Sequence, residues 1–213
     1  MTESSLRACV LAATRAVEAS RDELSRLDAA AGDGDHGVTM ALAARAVRKT
    51  LDDAPDVEGE ALVTRLAMAM GSVGGAIGPI YATSLLAVAA KMRSLPSPAG
   101  APSAEYLAAC AAAAESAIAA LGGAKPGDKT ILDALHPATQ ALEQAEDTTV
   151  AGALRAAASA AGEGATATAE MVAVVGRASR LGERSRGLPD PGASSLALIL
   201  EAFAQAYAGR SMP

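Results

Sequence analysis

The chain has 213 residues (1–213), enough for one fairly large domain with a continuous core. Hydrophobic residues make up 51% and aromatics 2%, with no Trp, so the apolar content is mostly Ala, Leu and Val. The formal net charge is −6 and no basic tract appears, which argues against nucleic-acid binding; any polyphosphate must be attracted locally.

Ala and Leu are the strongest helix formers, so an all-α class is expected. Residues 4–27 read as the first helix, with Leu6, Val10, Ala13, Val17, Leu24 and Leu27 at helical spacing and Ser4 or Ser5 as a cap. Glu3, Arg15, Glu18 and Arg21 interrupt it, so it is neither a signal peptide nor a membrane span, and a cytoplasmic protein is the default. An aspartate-glycine segment, Asp28 to Gly37, follows as a loop. Helical character resumes over 38–52, where Arg45, Arg48 and Lys49 suit the C-terminal end of the helix dipole. A third helix covers 59–73 and runs into Gly71–Pro79, too glycine-rich to be plain helix. A fourth covers about 80–94.

Residues 95–103 form a loop punctuated by three prolines. Ser103 then caps a helix to about Leu121. Gly122 to Lys129 is the next loop. Residues 130–145 are helical, with a kink or restart at Pro137. Helices over 149–161 and about 164–176 come next. Gly176 to Gly192 is a long polar loop, and such loops are usually functional. The last helix, 193–208, carries Leu196, Ile199, Leu200, Phe203 and Tyr207 at helical spacing. About eight helices and no convincing strand result. Short connections favour antiparallel neighbours in an up-and-down bundle. Cys9 and Cys110 are far apart and read as small buried hydrophobes.

Asp28, Asp33 and Asp35 fall within eight positions, interleaved with Gly32, Gly34 and Gly37. Hard oxygens crowded this closely suit Mg²⁺ or Ca²⁺, and Mg²⁺ is usually shared with substrate phosphates. A calcium-binding EF-hand needs a Glu twelfth in the loop. Counting from the three aspartates, that position is Thr39, Ala44 or Ala46, so an EF-hand is rejected. His36 to Met40 opens a helix, whose free N–H groups attract anions. His36 itself reads equally as a ligand contact or as a satisfied polar loop residue. Gly71–Gly78 permits close backbone approach, to a ligand or to a neighbouring helix. Gly122 to Thr130 nearly imitates a phosphate-binding P-loop, but Asp128 breaks the pattern and no strand precedes it. Arg177, Arg180, Arg184 and Arg186 concentrate arginine in an acidic chain, and arginine suits phosphate recognition.

Four blocks, GDGDHG at 32–37, GGAIGPIY at 74–81, GAKPGDKTILDAL at 123–135 and GRASRLGERSRGLPDPGASS at 176–195, together resemble the nucleotide-binding L subunit of dihydroxyacetone kinase. The resemblance implies a barrel of eight antiparallel helices with the nucleotide, ATP or ADP, in the loops at one end. It implies two Mg²⁺ ions held by Asp28, Asp33 and Asp35. It implies nucleotide contacts from His36, Gly37, Val38, Thr39, Ala76, Ile77, Gly122, Ile131, Arg177, Asp190, Pro191 and Gly192. No catalytic residue is assigned. Thr39 stands where Asn is common, Ile77 where Ser is usual, Ala82 where Gly is frequent and Arg180 where Tyr is common.

The activity so implied is phosphoryl transfer to dihydroxyacetone or a related small ketose. A K-type partner, subunit or domain, would hold that acceptor through a histidine. The donor is either exchanging ATP or bound ADP rephosphorylated by a phosphotransferase-system partner. No membrane or nucleic-acid partner is expected, and a homodimer is compatible with the resemblance. A nucleotide-binding regulator of the same family is the alternative.

Overall fold

Every regular element is helical among the described residues, 3–96, 102–145 and 149–210, of the computed structural model of this chain. The helices are α1 (Glu3–Ala19), α2 (Arg21–Ala31), α3 (His36–Asp53), α4 (Gly59–Gly71), α5 (Ile77–Ser94), α6 (Ala104–Gly122), α7 (Leu132–Glu143), α8 (Val150–Ala167) and α9 (Pro191–Arg210). Two stretches of 3-10 helix, Thr168–Glu170 and Arg177–Ser185, lie between α8 and α9. Most of the expected proline loop, residues 97–101, lies outside the described residues.

Eight helices close a ring. In order, α1, α3, α4, α5, α6, α7, α8 and α9 each pack on the next, and α9 returns to α1. Helix α2 stands apart from that order and lies against α3 and α9. Arg7, near the start of α1, donates to Ala54 O at 3.0 Å, to Val57 O at 2.8 Å and to Leu51 O, closing the end of α3. The two helices are therefore antiparallel, and Arg7 satisfies carbonyls that a helix end leaves orphaned. Glu18, in the last turn of α1, joins the same pair again, with 2.6 Å between Arg48 Nη2 and Glu18 Oε1. The alternation puts four connections at one end: 32–35, 72–76, 123–131 and 168–190.

The first expected helix is broken. It ends at Ala19 and restarts at Arg21, with Ser20 between. Leu24 of α2 still packs with Val17, Met40 and Ala44, so the apolar spacing carries no trace of the break. Helix α2 runs on to Ala31, which puts Asp28 in a helical last turn rather than in a loop. Ser4 and Ser5 fall inside α1, not ahead of it. Ser103 caps α6 as expected, accepting from Tyr106 N at 3.1 Å.

The helices expected over 149–161 and 164–176 are one shorter unit. Helix α8 passes through Gly162 and Gly164, and the chain leaves helix after Glu170. Gly164 has a packing reason to be glycine: a Cβ there would overlap Asp133 O and press on the Pro137 ring. Pro137 lies inside α7 and has no N–H to give Asp133 O, its partner four residues back. Helices α7 and α8 meet at that point.

A ring of eight alanine-rich helices is wider than its side chains can fill. The interior keeps a cavity of about 580 Å³, lined among others by Val17, Met40, Leu66, Tyr81, Leu135 and Phe203. Among the described residues, helix α6 alone is long and apolar enough to cross a bilayer. It is also one of the eight ring helices, packed between α5 and α7.

Candidate functional site

The three aspartates converge. Asp28 comes from the last turn of α2, and Asp33 and Asp35 from the turn before α3. One oxygen of each lies within 4.8 Å of the others. Gly34 makes the turn with φ 77°, in the left-handed region that glycine tolerates. Asp28 Oδ2 accepts from His36 N at 3.2 Å, which ties α2 to the first residue of α3. Gly37 lets the two helices touch: a Cβ there would overlap Arg21 O and crowd Ser25. Asp28 is half-buried while Asp33 and Asp35 are exposed. Three hard oxygens, open on one side beside a helix N-terminus, fit a divalent cation that shares its remaining positions with phosphate or water.

Arg177 faces the same point. Its guanidinium pairs with Asp33 and lies 3.6 Å from Asp35 Oδ1. Of the four arginines in that segment, this one reaches the carboxylates. Arg186 binds Glu170 O and Glu183, and Arg180 and Arg184 are exposed.

His36 turns inward. Its Nε2 lies 3.0 Å from Ser195 Oγ of α9. Burial holds the imidazole below its ordinary range, while Asp28, Asp35 and the Pro191 backbone pull it up. The structure thus favours the satisfied polar reading of the His36 ring. Its backbone N–H belongs to the carboxylate cluster. Ser195 has no local signal in the sequence, because its partner is 159 residues away.

A family model, described as the DAK2 domain, matches residues 30–205. The chain belongs to the DAK2 domain family. It is 40% identical over 198 residues to a D-erythrulose kinase of Mycolicibacterium smegmatis, covering 91% of this chain and 33% of that protein. It is 35% identical over 192 residues to the ADP-binding subunit DhaL of PEP-dependent dihydroxyacetone kinase 1 of Listeria innocua, covering 89% of each. The dihydroxyacetone kinase of C. freundii, solved in complex with AMP-PNP and Mg²⁺, superposes with a TM-score of 0.72 at 28% identity, over 96% of this chain and 34% of that one. The chain therefore spans about a third of the length of the erythrulose kinase and of the solved kinase.

In this DAK2 domain the remaining expected contacts are spread around the same ring end. Val38 and Thr39 lie in the first turn of α3, Val38 exposed and Thr39 half-buried. Ala76 and Ile77 open α5; Ala76 is exposed, while Ile77 packs toward Met40 of α3. Gly122 ends α6, exposed, with open space around it. Ala82 lies opposite Gly71 where α4 meets α5, and a Cβ added at Gly71 would stand 3.7 Å from the Ala82 Cβ. Ile131 is a core residue, 8% exposed, beside Gly192 at the start of α9.

Asp190 is the N-cap of α9. Its Oδ2 accepts from Ala193 N at 2.7 Å, and Pro191 takes the first helical position, where a missing N–H costs little. Burial pushes its carboxyl up to about 6 from 3.8, against the pull of the Ala193 N–H; Asp133 adds to the rise and Lys129 opposes it. The folded chain then holds that proton more tightly than the unfolded chain. Asp190 therefore makes stability fall as pH rises from 3.8 to about 6. Asp190→Asn keeps the cap acceptor and removes the titration. In thermal melts its stability relative to the parent should grow through that window and then level, by at most about 3 kcal/mol. Parallel pH curves for the two proteins would contradict this.

The 122–131 and 171–187 segments are joined by groups the sequence did not single out. Asp133 accepts from Gly127 N at 2.5 Å and from Thr130 N at 2.7 Å, fixing the entry to α7. Asp128 O accepts from Val174 N at 3.2 Å. Lys129 is buried, and its Nζ donates to Met171 O at 3.1 Å and Ser185 O at 2.5 Å. The only hint was a lysine placed like that of a P-loop.

Proposed function

We propose that this chain is the Mg–nucleotide-binding part of a ketose kinase, with ATP or ADP as ligand and dihydroxyacetone or a four-carbon ketose as acceptor. The observation that carries this reading is the convergence of Asp28, Asp33 and Asp35 beside the N-terminus of α3 and the Arg177 guanidinium. The relatives named as dihydroxyacetone and erythrulose kinases, and the neighbour solved with AMP-PNP and Mg²⁺, support it.

Phosphoryl transfer depends mainly on positioning and charge neutralisation. Asp28, Asp33 and Asp35 would hold Mg²⁺, in two ions, and the metal would supply neutralisation of phosphate oxygens. The N–H groups from Gly37 to Thr39 would bind a phosphate, aided by the helix dipole. Arg177, which pairs with Asp33 here, would turn its second face to phosphate, where a guanidinium fork binds two oxygens. The start of α5, Gly122, Ile131 and Asp190 to Gly192 would frame the rest of the nucleotide. A K-type partner would carry the acceptor, in a cytoplasmic setting. A phosphotransferase-system donor would serve if ADP stays bound.

Calorimetry of ADP and ATP with and without Mg²⁺ tests the reading. Binding that requires Mg²⁺ is expected; binding indifferent to Mg²⁺, or none, would overturn it. ADP retained through purification would favour the rephosphorylated form.

A further inference from the structure

Lys129 is the one non-glycine residue at positive φ among the described residues, at 63°. That conformation is costly for a residue with a Cβ and costs glycine nothing, so the side chain must contribute something a glycine could not. It is also 3% exposed, and a buried ammonium needs fixed partners. Those partners are the carbonyls of Met171, at 3.1 Å, and Ser185, at 2.5 Å.

The two carbonyls are the two ends of one segment. Between them the chain, which has already left α8 at Ala167, runs through Arg177 and returns. The same base is stitched by Ala173 N to Ser185 Oγ at 3.0 Å and by Val174 N to Asp128 O at 3.2 Å. Arg177, at the outer part of the segment, is the residue that meets Asp33 and Asp35. Around the ammonium stand Asp190, Glu170 and Arg186.

We propose that Lys129 is a positioning residue: it clasps both ends of the 171–185 segment and thereby holds Arg177 over the carboxylate cluster. This rests on the Mg–nucleotide reading of that cluster. Lys129 does not touch the carboxylates. It acts on them through the segment it closes.

The test has two arms, run on the parent chain, Lys129→Met and Lys129→Gly. The glycine variant removes the ammonium and also relaxes the backbone at φ 63°, so it separates loss of the clasp from backbone strain. The first arm is limited trypsin digestion read by mass spectrometry. Cleavage after Arg177, Arg180 and Arg184 should accelerate about tenfold in both variants, the scale of a lost hydrogen bond to a charged group. Unchanged cleavage would overturn the clasp.

The second arm is calorimetry of ADP with Mg²⁺ on the parent, the Lys129 variant, Arg177→Ala and the double variant. Affinity should fall about tenfold in the Lys129 variant, and the same change should add little once Arg177 is gone. An undiminished loss in the Arg177→Ala background would show a merely structural lysine and sink the proposal. If the parent itself fails to bind Mg–ADP, the functional reading fails, and the digestion arm still judges the clasp.

Discussion

Asp33→Ala and Asp35→Ala are each expected to abolish Mg²⁺-dependent ADP binding and to leave the helical ring standing. Both carboxylates are exposed and sit outside the core, and the partner the structure gives them is Arg177. An exposed pair of that kind contributes at most about 1 kcal/mol to stability. As ligands they matter far more. Residues that only support a metal ligand cost about 10–100-fold in affinity when lost, and a ligand itself should exceed that. Asp28→Ala should differ. Its carboxylate also holds His36 N at 3.2 Å, so binding and stability should fall together. Titrating each variant with ADP with and without Mg²⁺, beside a urea melt, separates the two effects. An Asp33 or Asp35 variant with the parent's Mg²⁺ dependence would remove these residues from the metal site.

Gly37→Ala should be the most damaging single methyl group in the site. Its Cβ would overlap Arg21 O and lie 2.7 Å from Ser25 N, and both are main-chain atoms of α2. No rotamer change relieves a clash with backbone. Helix α2 would have to move off α3 and carry Asp28 away from Asp33 and Asp35. A loss of about 3 kcal/mol, at the upper end for overpacking, is expected in urea unfolding, with loss of Mg²⁺-dependent binding. Gly162→Ala is the control. It lies inside α8 with open space around it and should stabilise by about 0.5–1 kcal/mol. Equal effects of the two substitutions would refute the packing argument.

Much of the fold was legible in the residues. Alanine and leucine at helical spacing announced helices, and Gly, Pro and Ser marked most of their ends. The four polar blocks gave the family before any contact was known. The misreadings have physical causes. Ser20 breaks a helix without breaking its apolar spacing, because Leu24 still finds Val17 and Met40. Gly162 and Gly164 read as a helix end, yet Gly164 is glycine for the sake of α7, a neighbour about thirty residues back. Asp190, expected at the nucleotide, also caps α9 through its carboxylate, a role that its neighbours in sequence did not announce.

The helical class, the family and an acidic loop suited to a divalent cation were all legible in the residues alone. Those properties are local: they depend on side-chain chemistry and on spacing within one or two turns. Packing adds the rest: eight helices close a ring with α2 outside it, Arg177 comes to Asp33 and Asp35, Lys129 joins Met171 to Ser185, and Ser195 meets His36. Each of those rests on contacts between residues 42 to 159 apart in the chain or more than 140 apart through Arg177. Such contacts follow from how the helices pack, and no local pattern of residues records them.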